Sequence, residues 1–504
     1  MNILVIVGHP RADSLCHALA EQYIEGATEA GARLRRLDLR ELMFSRDVET
    51  RAMRRQETEP DLERARGLLR WAQHVVFVYP TRWGTMPSLL KCFLDRLLLP
   101  DFAFRYAENA IGYEGLLRGR SAHLITTMDT PPLAYRLMYR APGHNAMRRA
   151  TLNFCGIAPV RVTPFGSVSS SDAARRSQWL AQARREGRAL RGAVPTAGER
   201  LEAKAAAWVA ALRLQFYPTT WLVYALGAVA AAGAGAMATA AFWLGYFVLF
   251  CLEAATVFTN ELFDYAADRS NRRYGPFNGG SRVIIDGRLS MREMRTGAFV
   301  AFVLAVVAAL ALVALTYAPV VPSLAFLGVL AVVAIGYTVP PLKLCYRTLG
   351  ELDVAFTHGP AVLVCGWIFM GAAWNDPIPW LMGLPVALAT LPSITLSNAP
   401  DRDADAGVGK WTIAARFGQF GAIGFAMMAT VAAAVCAIVW PHLDAVPDVY
   451  RLMPWLAVPH AAWLLWLLGQ SRRDAGLPRN MLLMIASLTF SLWFIVPPFA
   501  VLIL

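Results

Sequence analysis

The sequence predicts an α/β domain built on a doubly wound parallel sheet, followed by an all-α membrane bundle of nine transmembrane helices. Two observations carry that expectation. Up to about residue 200 charge is mixed with short apolar runs, whereas from about residue 218 apolar segments of some twenty residues, long enough to cross a bilayer, recur to the end. Within the first stretch strand-like runs alternate with helical periodicity, the pattern of a parallel sheet covered by helices. The 504 residues therefore divide into a soluble domain at 1–190, a linker and interfacial helix at 191–216, and a membrane domain at 217–504.

The net charge of +12 and pI near 9.6 would suit nucleic acid, but after residue 218 the bases crowd into alternate loops. That is the pattern that orients membrane proteins, so a lipid membrane and no nucleic acid is the expected partner. The seven cysteines (Cys16, Cys92, Cys155, Cys251, Cys345, Cys365 and Cys436) include no C-x-x-C pair and read as reduced thiols or packing residues. The opening MNILVIVGHP reaches glycine after seven residues and lacks a basic stretch followed by a long apolar core. It reads as a first strand, which places the soluble domain in the cytoplasm.

In chain order, strands are expected at 2–7 (NILVIV), 33–39, 74–79 (HVVFVY), 121–127 (SAHLITT) and 159–164. Such sheets bind ligands beyond the carboxyl ends of their strands. After the first strand comes GHPRADSLCHALAEQY, where Gly8 permits a tight turn and Ser14 opens a helix. Backbone N–H groups and a hydroxyl could hold a phosphate there, and Ser14 could equally be a plain N-cap. The third strand runs into YPTRWGTMPSLLKCFLDRLL, whose Trp83 and Gly84 would let a flat ring approach the backbone, unless Trp83 is a packed surface side chain.

The combination GHP…S, YPTRWG…P…LK…DR and ITT resembles the flavodoxin-like NAD(P)H quinone oxidoreductase family over about residues 1–190. The resemblance implies a bound flavin, FMN in preference to FAD because the domain is short. Its phosphate would lie at His9, Ser14, Leu15 and Cys16, and its ring between Pro80, Thr81, Arg82, Trp83, Gly84 and the pair Thr126 and Thr127. It also implies NAD(P)H as hydride donor and a homodimer through this domain. Cys16 stands where the family often has asparagine, and Met128-Asp129 where glycines are usual. The flavin would carry the hydride and the protein would position it; His9 reads as a loop hydrogen-bonder.

The segment RGAVPTAGERLEAKAAAWVAALRLQF begins flexible and becomes helical, as a linker into an interfacial helix would. Spans follow near 218–236, 240–262, 297–317, 321–339, 354–373, 379–398, 418–440, 451–469 and 481–502. With the soluble domain in the cytoplasm, the loops after the second, fourth, sixth and eighth spans face it too. They hold fifteen Lys and Arg, against Arg451 alone on the other side. The expected location is the inner (cytoplasmic) membrane, with the C-terminus on the opposite side.

Acidic residues at the ends of apolar helices are costly in lipid and so point to function. The second span runs into TNELFDYAADRSNRRYG, where Asn260, Asp264 and Asp268 recur every four residues on one helical face. SNAPDRDADAGVGKWT follows the sixth span and places Asn398, Asp401 and Asp405 on one face, with Asp403 elsewhere. Either cluster alone could be helix capping with solvated charge. Two such sets facing each other need a cation, and hard oxygen ligands of this kind suit Mg²⁺. Between them GYTVPPLKLCYRTLGELD breaks at Pro340-Pro341, so that Lys343 and Arg347 can turn back toward the acids. These two, Arg282 in NGGSRVI and Lys410 in GVGKWT could neutralise phosphate or simply anchor the cytoplasmic face.

Residues 205–504 resemble the UbiA-type intramembrane aromatic prenyltransferases. The motifs are N-E-x-x-D-x-x-x-D with Glu261 in place of a common aspartate, N-x-x-D-x-x-x-D followed by G-x-G-K-W-T, and Y-x-x-P-P-L-K-x-x-x-R-x-x-G-E. The stretch from Pro276 to Ser281 is similar to the menaquinone-type branch. The resemblance implies two Mg²⁺ ions, one on Asn260, Asp264 and Asp268 and one on Asn398, Asp401 and Asp405. The four aspartates with Lys343 and Arg347 would be catalytic, and Arg282, Lys343, Arg347 and Lys410 would bind the diphosphate of a prenyl donor. The acceptor must be an electron-rich ring, which a quinone becomes only on two-electron reduction; this gives the soluble domain a task. Two alternatives stay open. One is a prenyltransferase for a phenol, tetrapyrrole or sugar phosphate with an accessory reductase; the other is a quinone-binding membrane protein with a redox sensor.

Overall fold

The computed structural model describes residues 1–45, 59–106, 113–193, 196–233, 238–271, 273–275, 277–444, 448–473 and 480–503. Pro276 lies outside the described residues. Contacts divide the chain into one unit ending at Arg200 and another beginning at Leu201.

In the first unit the strands are β1 (Asn2–Val7), β2 (Arg33–Asp38), β3 (His74–Pro80), β4 (Phe104–Tyr106), β5 (Tyr113–Gly115), β6 (Ser121–Thr127) and β7 (Val160–Phe165). Five of them form one parallel sheet in the order β2-β1-β3-β6-β7, while β4 and β5 pair antiparallel. All five expected strands are present within a residue or two. Helices α1 (Leu15–Glu29), α2 (Pro60–Trp71), α3 (Ser88–Leu97) and α4 (Ala173–Arg188) connect or follow them. Central strands β3 and β6 are buried almost throughout because helices cover both faces. β2, at the edge, buries only Leu37 and exposes Arg33, Arg35 and Arg36, which discourages further strand pairing. The order reverses between β1 and β3, so the loops after β1, β3 and β6 open at the switch point where such sheets hold ligands.

The second unit is helical: α5 (Ala197–Leu212), α6 (Tyr217–Ala232), α7 (Thr239–Phe263), α8 (Met291–Leu315), α9 (Val320–Gly336), α10 (Gly350–Phe369), α11 (Ile378–Asn398), α12 (Ile413–Val439), α13 (Met453–Arg473), α14 (Asn480–Leu492) and α15 (Val496–Ile503). Among the described residues six segments are long and apolar enough to cross a membrane: α7, α8, α10, α11, Ile413–His442 and Met481–Ile503. Helices also occupy the other three expected positions, but α6 and α9 have only 16 and 17 residues, and α13 is diluted by Trp, His and Gln. The structure thus supports six of the nine expected spans by length and composition and leaves the other three without that support. A helix, α5, occupies the segment where an interfacial helix is expected, and it packs within this unit. Ala207 and Ala211 are buried, Trp208 meets Phe258 of α7 edge-on at 5.5 Å, and Lys204 pairs with Glu293 at 2.6 Å.

Helix packing here relies on small residues, as expected where lipid supplies no hydrophobic drive between helices. A Cβ on Gly227 of α6 would lie 2.0 Å from the Leu363 carbonyl of α10, and one on Gly366 would lie 2.2 Å from the Tyr224 carbonyl. The outer face of α8 exposes Phe299, Val303, Val307 and Leu310, side chains suited to lipid contact. Helix α10 contains a π-helical turn at Thr357–Ala361 around Pro360, which carries no N–H for the ordinary ladder.

Candidate active site

At the carboxyl end of the sheet, the loop after β1 places Ser14 at the N-cap of α1, where its hydroxyl accepts from His17 N and lies 2.8 Å from His17 Nδ1. His9 is buried and its Nδ1 is engaged with the backbone of Arg11, in keeping with a loop-holding role. Leu15 begins α1, and Cys16 Sγ turns inward to Thr127 Oγ1 at 3.4 Å, both residues buried. After β3, Pro80 and Thr81 lead into a turn in which Arg82 N and Thr85 O are bonded at 2.8 Å. Trp83 at its tip is fully exposed with φ +49°, so it does not pack on the surface, and Gly84 follows at φ +74°. Thr126 is buried with its hydroxyl 3.0 Å from His144 Nε2. Sequence reasoning missed Tyr135, whose hydroxyl donates to the Gly84 carbonyl at 2.7 Å and accepts from Gly143 N at 2.9 Å. It fixes the Trp83–Gly84 turn; a lone tyrosine in a loop offers no pattern that would reveal it.

In the membrane unit, the ends of α7 and α11 converge. Asn260, Asp264, Asp268, Asn398, Asp401, Asp405 and Lys410 all line one cavity of about 280 Å³. Buried Lys410 links the two clusters, its Nζ 2.7 Å from Asp264 Oδ2 and 3.6 Å from Asp405 Oδ1. Asp401 ties the loop after α7 to the end of α11: Oδ1 accepts from Asn271 Nδ2 at 2.7 Å and Asn278 Nδ2 at 2.6 Å, and Oδ2 accepts from Gly279 N at 3.0 Å. Glu261 holds the same loop by accepting from Ser281 N and its hydroxyl at 2.5 and 2.8 Å. Gly280 has φ +69° and a Cβ there would lie 2.2 Å from Asp268 Oδ2, so the loop closes over the acids only with glycine.

The remaining bases lie differently. Arg282 Nη1 donates to the Asp268 carbonyl at 3.0 Å and its guanidinium lies 3.9 Å from the Tyr274 ring centre. Lys343 sits over the Tyr346 ring at 4.7 Å, and exposed Arg347 donates to the Pro341 carbonyl at 2.9 Å. Arg282, Lys343 and Arg347 do not line the cavity. Sequence reasoning gave Glu351 no role. It is fully buried, and its Oε1 accepts from Asn398 Nδ2 at 3.0 Å and Ile413 N at 2.9 Å, clamping α10 to α11 and α12. Its place in the GELD tail of the basic loop was the available signal.

Among the described residues no three His, Cys, Asp or Glu side chains already form a metal cage. The donors nevertheless fit a hard divalent ion. Asn260 Oδ1 and Asp264 Oδ1 are buried without a hydrogen-bond partner. Burial, with repulsion from Asp264 and Glu261, pushes the Asp268 carboxyl up to about 8, and burial pushes Asp405 up to about 7. These are carboxylates short of positive charge.

The comparisons with known proteins follow the same division. The UbiA prenyltransferase family matches residues 219–502, and the flavodoxin-like fold matches residues 1–188. An uncharacterized NAD(P)H oxidoreductase of Haemophilus influenzae is 25% identical over 185 residues, 36% of this chain and 91% of that one. The human ribosyldihydronicotinamide dehydrogenase [quinone] is 32% identical over 126 residues, 23% of this chain, and the match spans only about half (51%) of the human protein. A solved UbiA homolog from Archaeoglobus fulgidus bound to GPP and Mg²⁺ is 17% identical, with a TM-score of 0.46 over 59% of this chain and 100% of that one. The chain belongs to the UbiA prenyltransferase family, its prenyltransferase domain fused behind a flavodoxin-like, NAD(P)H quinone oxidoreductase-like domain.

Proposed function

We propose that the chain is a bifunctional membrane enzyme: flavin-dependent reduction of a quinone by NAD(P)H, coupled to Mg²⁺-dependent transfer of a prenyl group from its diphosphate to the hydroquinone so formed. The observation that carries this reading is the convergence of two acidic helix ends on one cavity, bridged by Lys410. Asn260, Asp264 and Asp268 would hold one ion and Asn398, Asp401 and Asp405 a second. When bound, magnesium supplies positive charge to the diphosphate oxygens as the carbon–oxygen bond ionises. Lys410 adds a further charge at the same place, and Arg282, Lys343 and Arg347 enlarge the positive field around it. Leu249, Leu252, Leu330, Val362, Met484 and Leu488 give the deeper cavity an apolar wall that takes the prenyl chain and excludes water.

In the first domain the flavin, FMN in preference to FAD, would supply hydride transfer. His9, Ser14, Leu15 and Cys16 border its phosphate end, and Pro80–Gly84 with Thr126 and Thr127 border its ring. Dimerisation through this domain belongs to the same reading. Nine spans are the reading of the apolar runs, six of them long and apolar enough by themselves, and a cytoplasmic reductase and a C-terminus on the opposite face of the inner membrane follow from the distribution of Lys and Arg.

The test uses the full-length chain with an allylic prenyl diphosphate, candidate aromatic acceptors and Mg²⁺, read by product mass. The expected product is acceptor plus prenyl group, lost on chelation by EDTA and restored by Mg²⁺. Undiminished transfer in EDTA would reject the reading.

A further inference from the structure

In the first domain, the loop proposed for the flavin phosphate adjoins a side chain that the functional reading leaves without a role. Ser14 caps α1, and Leu15 and Cys16 open it, so the N–H groups of Leu15 and Cys16 have no acceptor within the helix and are free to turn to an anion. His17 completes this first turn and is only 6% exposed. Its Nδ1 lies 2.8 Å from Ser14 Oγ. Its Nε2 is buried without a hydrogen-bond partner, 3.7 Å from Oδ1 of Asp38 at the end of β2. Ser14, His17 and Asp38 thus run in line from the helix N-terminus to the neighbouring strand.

The Ser14 hydroxyl has one proton to give and two lone pairs. One lone pair accepts from His17 N, the N-cap bond of α1. With a neutral ring, the nearby Asp38 carboxylate favours the tautomer that keeps the proton on Nε2, and Nδ1 then takes the Ser14 proton. That leaves the hydroxyl nothing to donate to a phosphate. With a protonated ring, Nδ1–H donates to the second lone pair, Nε2–H faces Asp38, and the Ser14 proton is free for the anion. Resting on the flavin reading above, we propose that His17 is a positioning residue, taking up a proton from solvent as the flavin phosphate binds and thereby turning the Ser14 hydroxyl toward it. Burial holds the free ring below the usual histidine range, so it is neutral before the phosphate arrives. The charges around it are mixed: Asp38 and Glu21 favour the proton, Arg36 and Arg40 oppose it, and His9 meets the ring edge-on at 6.3 Å. Asp38 is already paired with Arg36 at 3.0 Å, and the helix N-terminus also disfavours a cation, so the phosphate dianion supplies the charge that tips the balance.

The experiment titrates FMN and riboflavin into the full chain, freed of flavin, by calorimetry at pH ~7.5, where a phosphate monoester is already a dianion. Two buffers of different ionisation enthalpy are used, and the difference in heat counts the protons taken up. FMN is expected to bring in roughly half a proton or more per site, and riboflavin, which lacks the phosphate, none. This comparison needs no variant and stands whether or not a substitution folds. His17→Asn supplies an amide that donates to Ser14 at every pH. It should bind FMN within about threefold of wild type, without proton uptake and without the loss of affinity that wild type shows as pH rises. No uptake with FMN in wild type, equal uptake with riboflavin, or undiminished uptake in His17→Asn overturns the proposal. If FMN does not bind but inorganic phosphate, without Mg²⁺, binds with the same His17-dependent uptake, the flavin reading fails and the role of His17 survives; if neither binds, both fail.

Discussion

The two ends of this chain build their sites in opposite ways. Around the Trp83–Gly84 turn most of the polar groups pair with one another, Thr126 with His144, Cys16 with Thr127, Tyr135 with Gly84 and Gly143, although Thr81 Oγ1 is buried without a partner. In the membrane cavity the unpaired atoms are carboxyl and amide oxygens: Asn260, Asp264, Glu253 and Asp353 each keep one buried. Loops whose polar groups are mostly paired present backbone and ring faces to a flat cofactor. A set of unpaired oxygens is stable only with cations and ligand donors in place. The difference separates a surface that positions a reactive group from one that supplies charge.

The largest expected effect follows from that charge. Asp264→Asn removes the partner of Lys410 and a proposed metal ligand, and should lower prenyl transfer by about 1000-fold while NAD(P)H oxidation by the same protein is unchanged. Equal losses in both assays would show that the two regions are not independent. Gly280→Ala should come next. Its Cβ would meet Asp268 Oδ2 at 2.2 Å in a backbone conformation that disfavours alanine, and transfer should fall roughly 100-fold with a raised Mg²⁺ requirement. Tyr135→Phe should act on the other side of the comparison alone. Losing the hydroxyl that holds the turn costs about 1–2 kcal/mol, or roughly tenfold in flavin affinity by fluorescence titration. Transfer to an acceptor supplied already reduced should be untouched.

The remaining effect bears on stability and is one of pH. Burial lowers His74 to about 3 and His144 to about 4. Both stay neutral in the folded first domain, while the unfolded chain takes up protons below about 6.5. Stability is therefore full above that value and declines as pH falls toward the folded values, by ~2 kcal/mol per histidine at pH 5. Hydrogen exchange in β3 and β6, corrected for its intrinsic pH dependence, should be faster at pH 5 than at pH 7; equal protection would show that these rings are protonated in place.

The parallel sheet was legible because each central strand is a short apolar run bounded by turn residues, as in HVVFVY ahead of Pro80. The acidic clusters were legible because four-residue spacing reports one helical face, and the structure places all six of their residues at one cavity. Contacts made across the chain were not. Nothing in the spacing of Asn271, Asn278 or Glu351 shows that they hold Asp401 and Asn398 from other segments. Nor could periodicity place Lys343 and Arg347, because the loop after α9 carries them and loops obey no fixed period. The nine apolar runs were legible as helices, but length and composition support only six of them as spans, because α6 and α9 have 16 and 17 residues and α13 is diluted by polar side chains.

The coupling of the two regions is tested most directly by supplying the acceptor as an oxidised quinone to the full chain with prenyl diphosphate and Mg²⁺, with and without NAD(P)H, and weighing the product. Prenylated product is expected only when NAD(P)H is present, and without that requirement when the acceptor is reduced beforehand. Equal yields from the quinone in the presence and absence of NAD(P)H would contradict it.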